Sequence, residues 1–337
     1  MKSETDFLRG LKERFATGLP GGTVGIGDDA AVIERDESSS WVVTTDLLVE
    51  GVDFLRAKSS PESVGFKSLA VSLSDVAAMG AEPRFAFLSL GVPAELPDAW
   101  VKAFYDGFEE AMLPARVLLL GGDTSRVPAQ IAVNVCVIGE APTEEIKLRS
   151  RGRPGDVLFV TGALGDAAAG LELLLGADAK LATFRATREG RALVSRLERP
   201  RPHLAEGRFL GARSSVTSLM DLSDGLAADL PKLCEASGVG AAVEIASVPL
   251  SPELKAWAAA VGGDAALLAA RGGEDFVLLG SCRAAEWPTL ASEFRNAFGR
   301  ELPRIGAMRD GSGAAWTREG AAVRALTPGF EHFGSRT

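Results

Sequence analysis

The sequence predicts an α/β protein of α+β layers in two domains, each a mixed sheet with helices on one side. Three observations carry this. At 337 residues the chain exceeds the usual size of a single hydrophobic core. Short apolar runs alternate with amphipathic stretches, yet several runs follow one another directly, which suits α+β layers better than a doubly wound parallel sheet. Apolar periodicity then lapses between about Ala141 and Asp156, which places a boundary near residue 145, with units 1–145 and 146–337.

The elements follow in order. Thr5 to Ala16 has Phe7, Leu8, Leu11 and Phe15 at helical spacing. Ala30 to Ile33 and Trp41 to Thr45 flank the polar turn 34–40 and predict a hairpin. Ser60-Pro61-Glu62 starts a helix, with proline at its first position, that runs to about Met79 and stops at Gly80. Phe85 to Leu90 is a strand, Asp98 to Met112 a helix opened by Pro97, and Val117 to Leu120 and Ile131 to Ile138 are strands. Beyond the boundary, strands are expected at Val157–Thr161, Val216–Met220, Ala241–Ile245, Phe276–Gly280 and Arg304–Ala307. Helices are expected at Leu164–Leu175, Thr187–Leu197, His203–Leu210, Leu226–Ser237, Pro252–Val261 and Ala284–Phe298.

Composition narrows the class. Apolar residues make up 46% and charged residues 24%, as in ordinary globular proteins. The net charge of -9, without any long basic run, argues against a nucleic-acid partner. No apolar run approaches the roughly 18 residues of a spanning helix, and the polar N-terminus does not read as a signal peptide, so neither membrane nor export is expected. Three widely spaced cysteines, Cys136, Cys234 and Cys282, form neither a disulfide framework nor a zinc pattern, which suits a reducing cytoplasm.

The chemistry is carried by acids at the ends of apolar runs. Asp28 and Asp29 follow the glycines of Gly25-Ile26-Gly27, and adjacent carboxylates repel unless a turn or a cation accommodates them. Thr44-Thr45-Asp46 closes one apolar run, Gly121-Gly122-Asp123-Thr124 another, and Asp221-Leu222-Ser223-Asp224-Gly225 a third. Asp75 lies inside an apolar helix, where a carboxylate must be paired or bound to metal. Lys67 is the basic residue nearest to it in that segment. Hard oxygen donors with two histidines in the chain select Mg²⁺ or Ca²⁺ over zinc, and Mg²⁺ with carboxylates most often serves phosphate chemistry.

Each motif also has a plainer reading. Asp28 and Asp29 can be a solvated turn, Asp46 a turn or capping residue, and Ser223 and Asp224 an N-cap. Arg149 and Arg151 are candidate phosphate clamps or merely linker charges. Gly272-Gly273-Glu274-Asp275-Phe276 reads equally as a tight turn or a ligand contact, and Phe330 as tail packing. Gly25-x-Gly27-x-x-Ala30 matches a dinucleotide fingerprint only superficially, because a strand-like run follows rather than a helix. No lysine follows a glycine, so a Walker A loop is absent, and no nucleophile elbow occurs.

The motifs GIGDDAA (25–31), TTDLLVEGVDF (44–54), KSLAVSLSDVAAMGAEP (67–83), GGDTSR (121–126), LRSRGRPGD (148–156), DLSDGL (221–226), GGEDF (272–276) and PGFEHF (328–333) together resemble the thiamine-monophosphate kinases, over nearly the whole chain. The resemblance implies an AIR synthetase-like fold of two α/β domains, dimerised through the N-terminal sheets. It implies transfer from ATP to thiamine monophosphate, giving thiamine diphosphate, the last step of thiamine diphosphate biosynthesis. Carried over by residue, it implies that Asp29, Thr44, Thr45, Asp46, Asp75, Asp123, Asp221 and Asp224 hold several Mg²⁺ ions. It implies that Tyr105, Gly122, Asp123, Arg149 and Ser223 contact ATP, and that Asp53, Glu274 and Phe330 contact the substrate. Asp53 is a departure, since the family usually has histidine there; an ionised aspartate cannot donate to a phosphate and repels it unless a cation intervenes. Two rival readings remain at this level. One is another ATP-dependent member of the wider superfamily, and the other is a metal- or nucleotide-binding protein without turnover.

Overall fold

The structure is a computed structural model that describes residues 4–15, 18–323 and 326. Phe330 therefore lies outside the described residues. The chain opens with helix α1 (Glu4–Phe15), then strands β1 (Ala31–Glu34) and β2 (Ser39–Val49) and helix α2 (Pro61–Ala78). Strand β3 (Glu82–Val92), helix α3 (Asp98–Ala115) and strands β4 (Leu118–Arg126) and β5 (Ala132–Pro142) complete the first half. These strands form one five-stranded sheet in the order β1-β2-β5-β3-β4, antiparallel except for the β3/β4 pair.

Helix α2 forms where its sequence predicts. The Ser60 side chain caps it by accepting from the Ser63 amide at 3.1 Å, Pro61 supplies the first turn, and Gly80 at φ 72° ends it. It is buried on nearly every side, between the inner face of the sheet and α3. The two helices touch backbone to backbone at paired glycines. A Cβ at Gly65 would stand 1.9 Å from the Phe104 carbonyl oxygen, and one at Gly107 would stand 1.9 Å from that of Glu62.

The second half contains strand β6 (Val157–Val160), helices α4 (Asp166–Leu175), α5 (Ala179–Arg185), α6 (Arg188–Glu198) and α7 (Leu204–Gly211), and strand β7 (Val216–Asp221). Helix α8 (Leu226–Ser237), strand β8 (Gly240–Glu244), helices α9 (Pro252–Val261) and α10 (Ala265–Arg271), strand β9 (Leu278–Cys282) and helix α11 (Trp287–Phe298) follow. Strands β10 (Arg304–Arg309), β11 (Gly313–Arg318) and β12 (Ala321–Val323) close it. The seven-stranded sheet runs β12-β11-β8-β10-β6-β9-β7, with β8/β11 its parallel pair.

Helices on one side describe the first sheet but not the second. Every residue of β6, β7 and β9 is buried. Leu158, Val160, Met220 and Leu279 join a core with α4, α6, α8 and α9, while Phe159, Leu219 and Leu278 join another with α7, α11 and the end of α2. Successive side chains point to opposite faces of a strand, so an unbroken apolar run in a central strand requires cover on both. The first sheet instead alternates, as β5 does from Ala132 to Pro142, and its outer face carries exposed Ile33, Leu47, Phe87 and Leu118. Among the described residues no helix is long and apolar enough to cross a membrane.

Candidate active site

The acid cluster forms where the two halves meet. Asp29 precedes β1, Asp75 sits in the last turn of α2, and Asp221 ends β7. One carboxylate oxygen from each lies within 4.8 Å of the others. Asp29 and Asp221 are buried, and Asp75 is half-buried. Burial pushes the Asp75 carboxyl well above the usual range, and Asp46, Asp221 and Asp29 push it further. Asp221 is likewise raised, by burial first and then by Asp29 and Asp229. Carboxylates held against their own repulsion in this way suit a site that completes itself with a cation.

Three hydroxyls orient these acids. Thr44 donates to Asp75 at 2.5 Å, Ser74 to Asp221 at 2.8 Å, and Ser72 to Asp46 at 2.7 Å. Asp46 is itself raised by burial and by Asp53. Ser72 and Ser74 were not singled out from the sequence. Their signal was available, since two serines flank Leu73 in an otherwise apolar helix just ahead of Asp75.

Arg149 closes the cluster from the second half. Its guanidinium meets both oxygens of Asp29, at 2.5 and 3.0 Å. Burial opposes its charge, but Asp29, Asp28 and Asp221 hold it firmly protonated. Asp28 turns away from the cluster and accepts from the Arg149 amide at 3.2 Å and the Asp29 amide at 3.1 Å. Burial and Asp29 push it up to about 7.

Ser223 and Asp224 do not cap α8. The helix is entered through Gly225 at φ 99°, and Asp229 from its first turn accepts from the Asp224 and Gly225 amides, both at 3.0 Å. Asp224 instead pairs with Lys232 at 2.5 Å. The Ser223 carbonyl accepts from the Glu274 amide at 2.6 Å, which binds the GGEDF turn to the DLSDGL turn. Asp46, Asp53, Lys67, Ser223, Asp224 and Glu274 then line one cleft of about 1260 Å³ between the halves.

Four predicted site residues stand elsewhere in this chain, Thr45, Gly122, Asp123 and Tyr105. Thr45 points to the outer sheet face, where its hydroxyl exchanges hydrogen bonds with Asn134, so its side chain does not reach the cluster. Strand β4 extends through Gly121 to Arg126, beyond the end at Leu120 that the apolar run predicts. Across the sheet, Asp46, Val135, Leu88 and Gly122 form one row, and Leu47, Asn134, Ser89 and Asp123 the next. Asp123 is therefore three strand spacings from β2, about 14 Å, and faces outward. Gly122 has φ 152°, and a Cβ there would stand 1.7 Å from the Leu88 carbonyl oxygen, so close strand packing alone requires it. Tyr105 lies on α3, 38% exposed, with its ring edge-on to Phe104.

Asp53 has an internal task. Its carboxylate accepts from the Val49 amide at 2.7 Å, closing the turn after β2, while it still borders the cleft.

The AIR synthase related protein N-terminal domain family matches residues 27–141, and the corresponding C-terminal domain family matches residues 153–290. A thiamine-monophosphate kinase of Bacillus subtilis is 37% identical over 85% of this chain and 86% of its own. The chain belongs to the thiamine-monophosphate kinase family. The Escherichia coli K12 member is 35% identical, with 92% of each chain covered. A solved structure described as AaThiL complexed with AMPPCP and TMP superposes with a TM-score of 0.84 at 32% identity, covering 98% of this chain and 97% of that one. The aspartates 29, 75 and 221 thus come together in a chain whose relatives are named for phosphoryl transfer to thiamine monophosphate.

Proposed function

We propose that this chain phosphorylates thiamine monophosphate with ATP, yielding thiamine diphosphate and ADP, and so performs the last step of thiamine diphosphate biosynthesis. The observation that carries the reading is the convergence of one carboxylate oxygen each from Asp29, Asp75 and Asp221 within 4.8 Å of one another, in a chain of this family. The acceptor is the terminal phosphate oxygen of thiamine monophosphate. A new P–O bond forms from that oxygen to the γ-phosphorus as the β–γ bridging bond breaks, in line and without a covalent enzyme intermediate. The acceptor is already an anion at neutral pH, so no general base is required.

Asp29, Asp75, Asp221, Thr44 and Asp46 are the residues that would hold Mg²⁺ here, and the hard-oxygen donor set fits it. Bound Mg²⁺ would supply charge neutralisation between the two repelling phosphates. Ser72, Ser74 and Thr44 hold the acids in place, and Arg149 is positioned to pass from Asp29 to a phosphate oxygen. Ser223 and Asp224 present the C-terminal side of the nucleotide site, and Glu274, Asp53 and Phe330 serve the substrate side.

A homodimer through the outer faces of two five-stranded sheets completes this reading. That face exposes Ile33, Leu47, Phe87 and Leu118 and carries Asp123, which a second copy could present to the cleft with its Gly122 and Tyr105. Residues 1–145 then form the dimerisation and metal-binding unit, and residues 146–337 complete the site. Three free cysteines fit a cytoplasmic setting.

One assay tests the reading. ADP release is measured with ATP and Mg²⁺, with and without thiamine monophosphate, and the product is identified. Release that depends on thiamine monophosphate and yields thiamine diphosphate is expected. ADP release indifferent to it would point to a different acceptor, and nucleotide binding without release to a protein without turnover.

A further inference from the structure

Lys67 is a cation of the cleft that the acid motifs overshadow, and it shares that cleft with Lys180 and Arg271. It rises from α2 into the cleft, and its ammonium meets both oxygens of Glu274 at 2.8 Å and the Asp53 carbonyl oxygen at 3.3 Å. The pair joins residues 207 apart in sequence, one from each half. Its two ends differ. The Lys67 side chain is 7% exposed, whereas that of Glu274 is 34% exposed and faces the open cleft. An ion pair with one end buried adds little stability, because desolvating the lysine offsets much of the attraction.

The backbone beneath Glu274 is also unusual. Glu274 has φ 66° and Phe276 has φ 49°, both in the left-handed region that side-chain-bearing residues rarely adopt. Such strain concentrates where a ligand is held. The hydrogen bond that the Glu274 backbone N–H donates to the Ser223 carbonyl oxygen fixes the turn from which the carboxylate is presented to the cleft.

We infer that Lys67 and Glu274 exchange their bond to each other for the two charges of a zwitterionic substrate. The Lys67 ammonium takes the acceptor phosphate, and the Glu274 carboxylate takes the cationic thiazolium ring. The inference rests on the thiamine monophosphate reading and adds Lys67 to the substrate-binding residues. The free protein keeps each group neutralised by the other. The bound substrate replaces both partners at once, so neither charge is left bare in a desolvated cleft. Position supports the assignment. Eight residues, about 12 Å of helix axis, separate Lys67 from Asp75, and the same cleft reaches Asp46, whose carboxylate acts on Asp75. The acceptor phosphate then has the lysine on one side and the acid cluster on the other. This also resolves the Asp53 position, because the donor that an aspartate cannot provide comes from Lys67, whose ammonium is held by the Asp53 carbonyl.

The test compares binding of thiamine monophosphate and of thiamine, which lacks the phosphate, by calorimetry on the full chain with Mg²⁺ and a non-hydrolysable ATP analogue. Lys67→Gln is expected to lower the ratio of thiamine monophosphate to thiamine affinity about ten- to a hundredfold, the scale of a charge-assisted bond. Glu274→Gln should weaken thiamine binding while that ratio holds or rises, because the lysine no longer has to leave a partner. An unchanged ratio in Lys67→Gln, or a fall in Glu274→Gln, overturns the exchange while leaving the kinase reading intact. A wild-type protein that binds neither compound overturns both. Unchanged affinity for the ATP analogue in both variants is the expected sign that the fold is retained.

Discussion

Arg149 and Asp29, 120 residues apart, meet through both carboxylate oxygens, so the acid that heads the candidate metal site is already neutralised by a side chain from the other half. A cation at Asp29 and the Arg149 guanidinium compete for the same oxygens. Removing the arginine leaves buried acids facing one another. Arg149→Gln should therefore destabilise the metal-free protein by about 3 kcal/mol, the scale of breaking a buried pair. Added Mg²⁺ should recover part of that loss. Urea melts with EDTA and with Mg²⁺ measure both, and equal stability of variant and wild type in EDTA would show that the pair carries no weight.

Asp75→Asn separates function from stability. Thr44 can still donate to the amide oxygen, while one member of the repelling cluster loses its charge. Turnover should collapse, by a factor of at least about a thousand, as metal-free thermal stability rises. Near-normal turnover at saturating Mg²⁺ would remove Asp75 from the metal site.

Mg²⁺ together with a nucleotide analogue should raise the melting temperature of the wild type, because they bind the folded cluster and not the unfolded chain. A scan with neither, either and both identifies the contribution of each. The absence of any shift with both would count against the site.

The partner reading has a sharp test in mixed variants. Asp75→Asn and Asp123→Asn should each be inactive alone. Mixed and allowed to exchange subunits, they should regain activity in up to about a quarter of the sites, since each mixed dimer rebuilds one site from two chains. Recovery of none would place Asp123 outside the partner's site.

Asp275 predicts a pH effect. Burial pushes it up to about 7 from 3.8, although its carboxylate accepts from the Gly165 amide at 2.7 Å and the Ala167 amide at 3.3 Å, at the start of α4. The folded protein thus retains a proton that the unfolded chain releases. The stability this contributes is full below about pH 4 and is lost as pH rises through about 7. Asp275→Asn should flatten that fall between those limits, as read from denaturant midpoints across pH. A slope identical to wild type would deny the shift.

Much of this arrangement was legible in the sequence, and the failures have physical causes. Asp29, Asp75 and Asp221 could be found because carboxylates beside apolar runs have few harmless explanations. Pro61 and Gly80 bracket α2 because each has one dominant use at a helix end. Which acids converge was not legible, since Asp123 shares its texture with Asp221 but lies on the far sheet face. The β11–β12 hairpin escaped because its turn places Glu319, at φ 53°, beside Gly320 at φ 77°, where asparagine or aspartate usually announces such a turn. Lys67 was noticed only as the basic residue near Asp75, because its partner Glu274 is a contact across the fold and no local pattern encodes it.

The paired glycines at the end of α2 have a mechanical meaning. A Cβ at Gly80 would come within 2.9 Å of the Gly211 Cα, and one at Gly207 within 2.2 Å of the Ala77 carbonyl oxygen, so the inner end of α2 rests on α7 without any side chain between. Lys67 lies toward the other end of the helix, where the cleft opens. Were the halves to turn about this contact, the helix would act as a lever about 18 Å long from Met79 to Lys67. A turn of 10° about that point would move the lysine by roughly 3 Å relative to Glu274, one hydrogen-bond length. A small rotation between the halves about that point would be enough to make or break the Lys67–Glu274 contact.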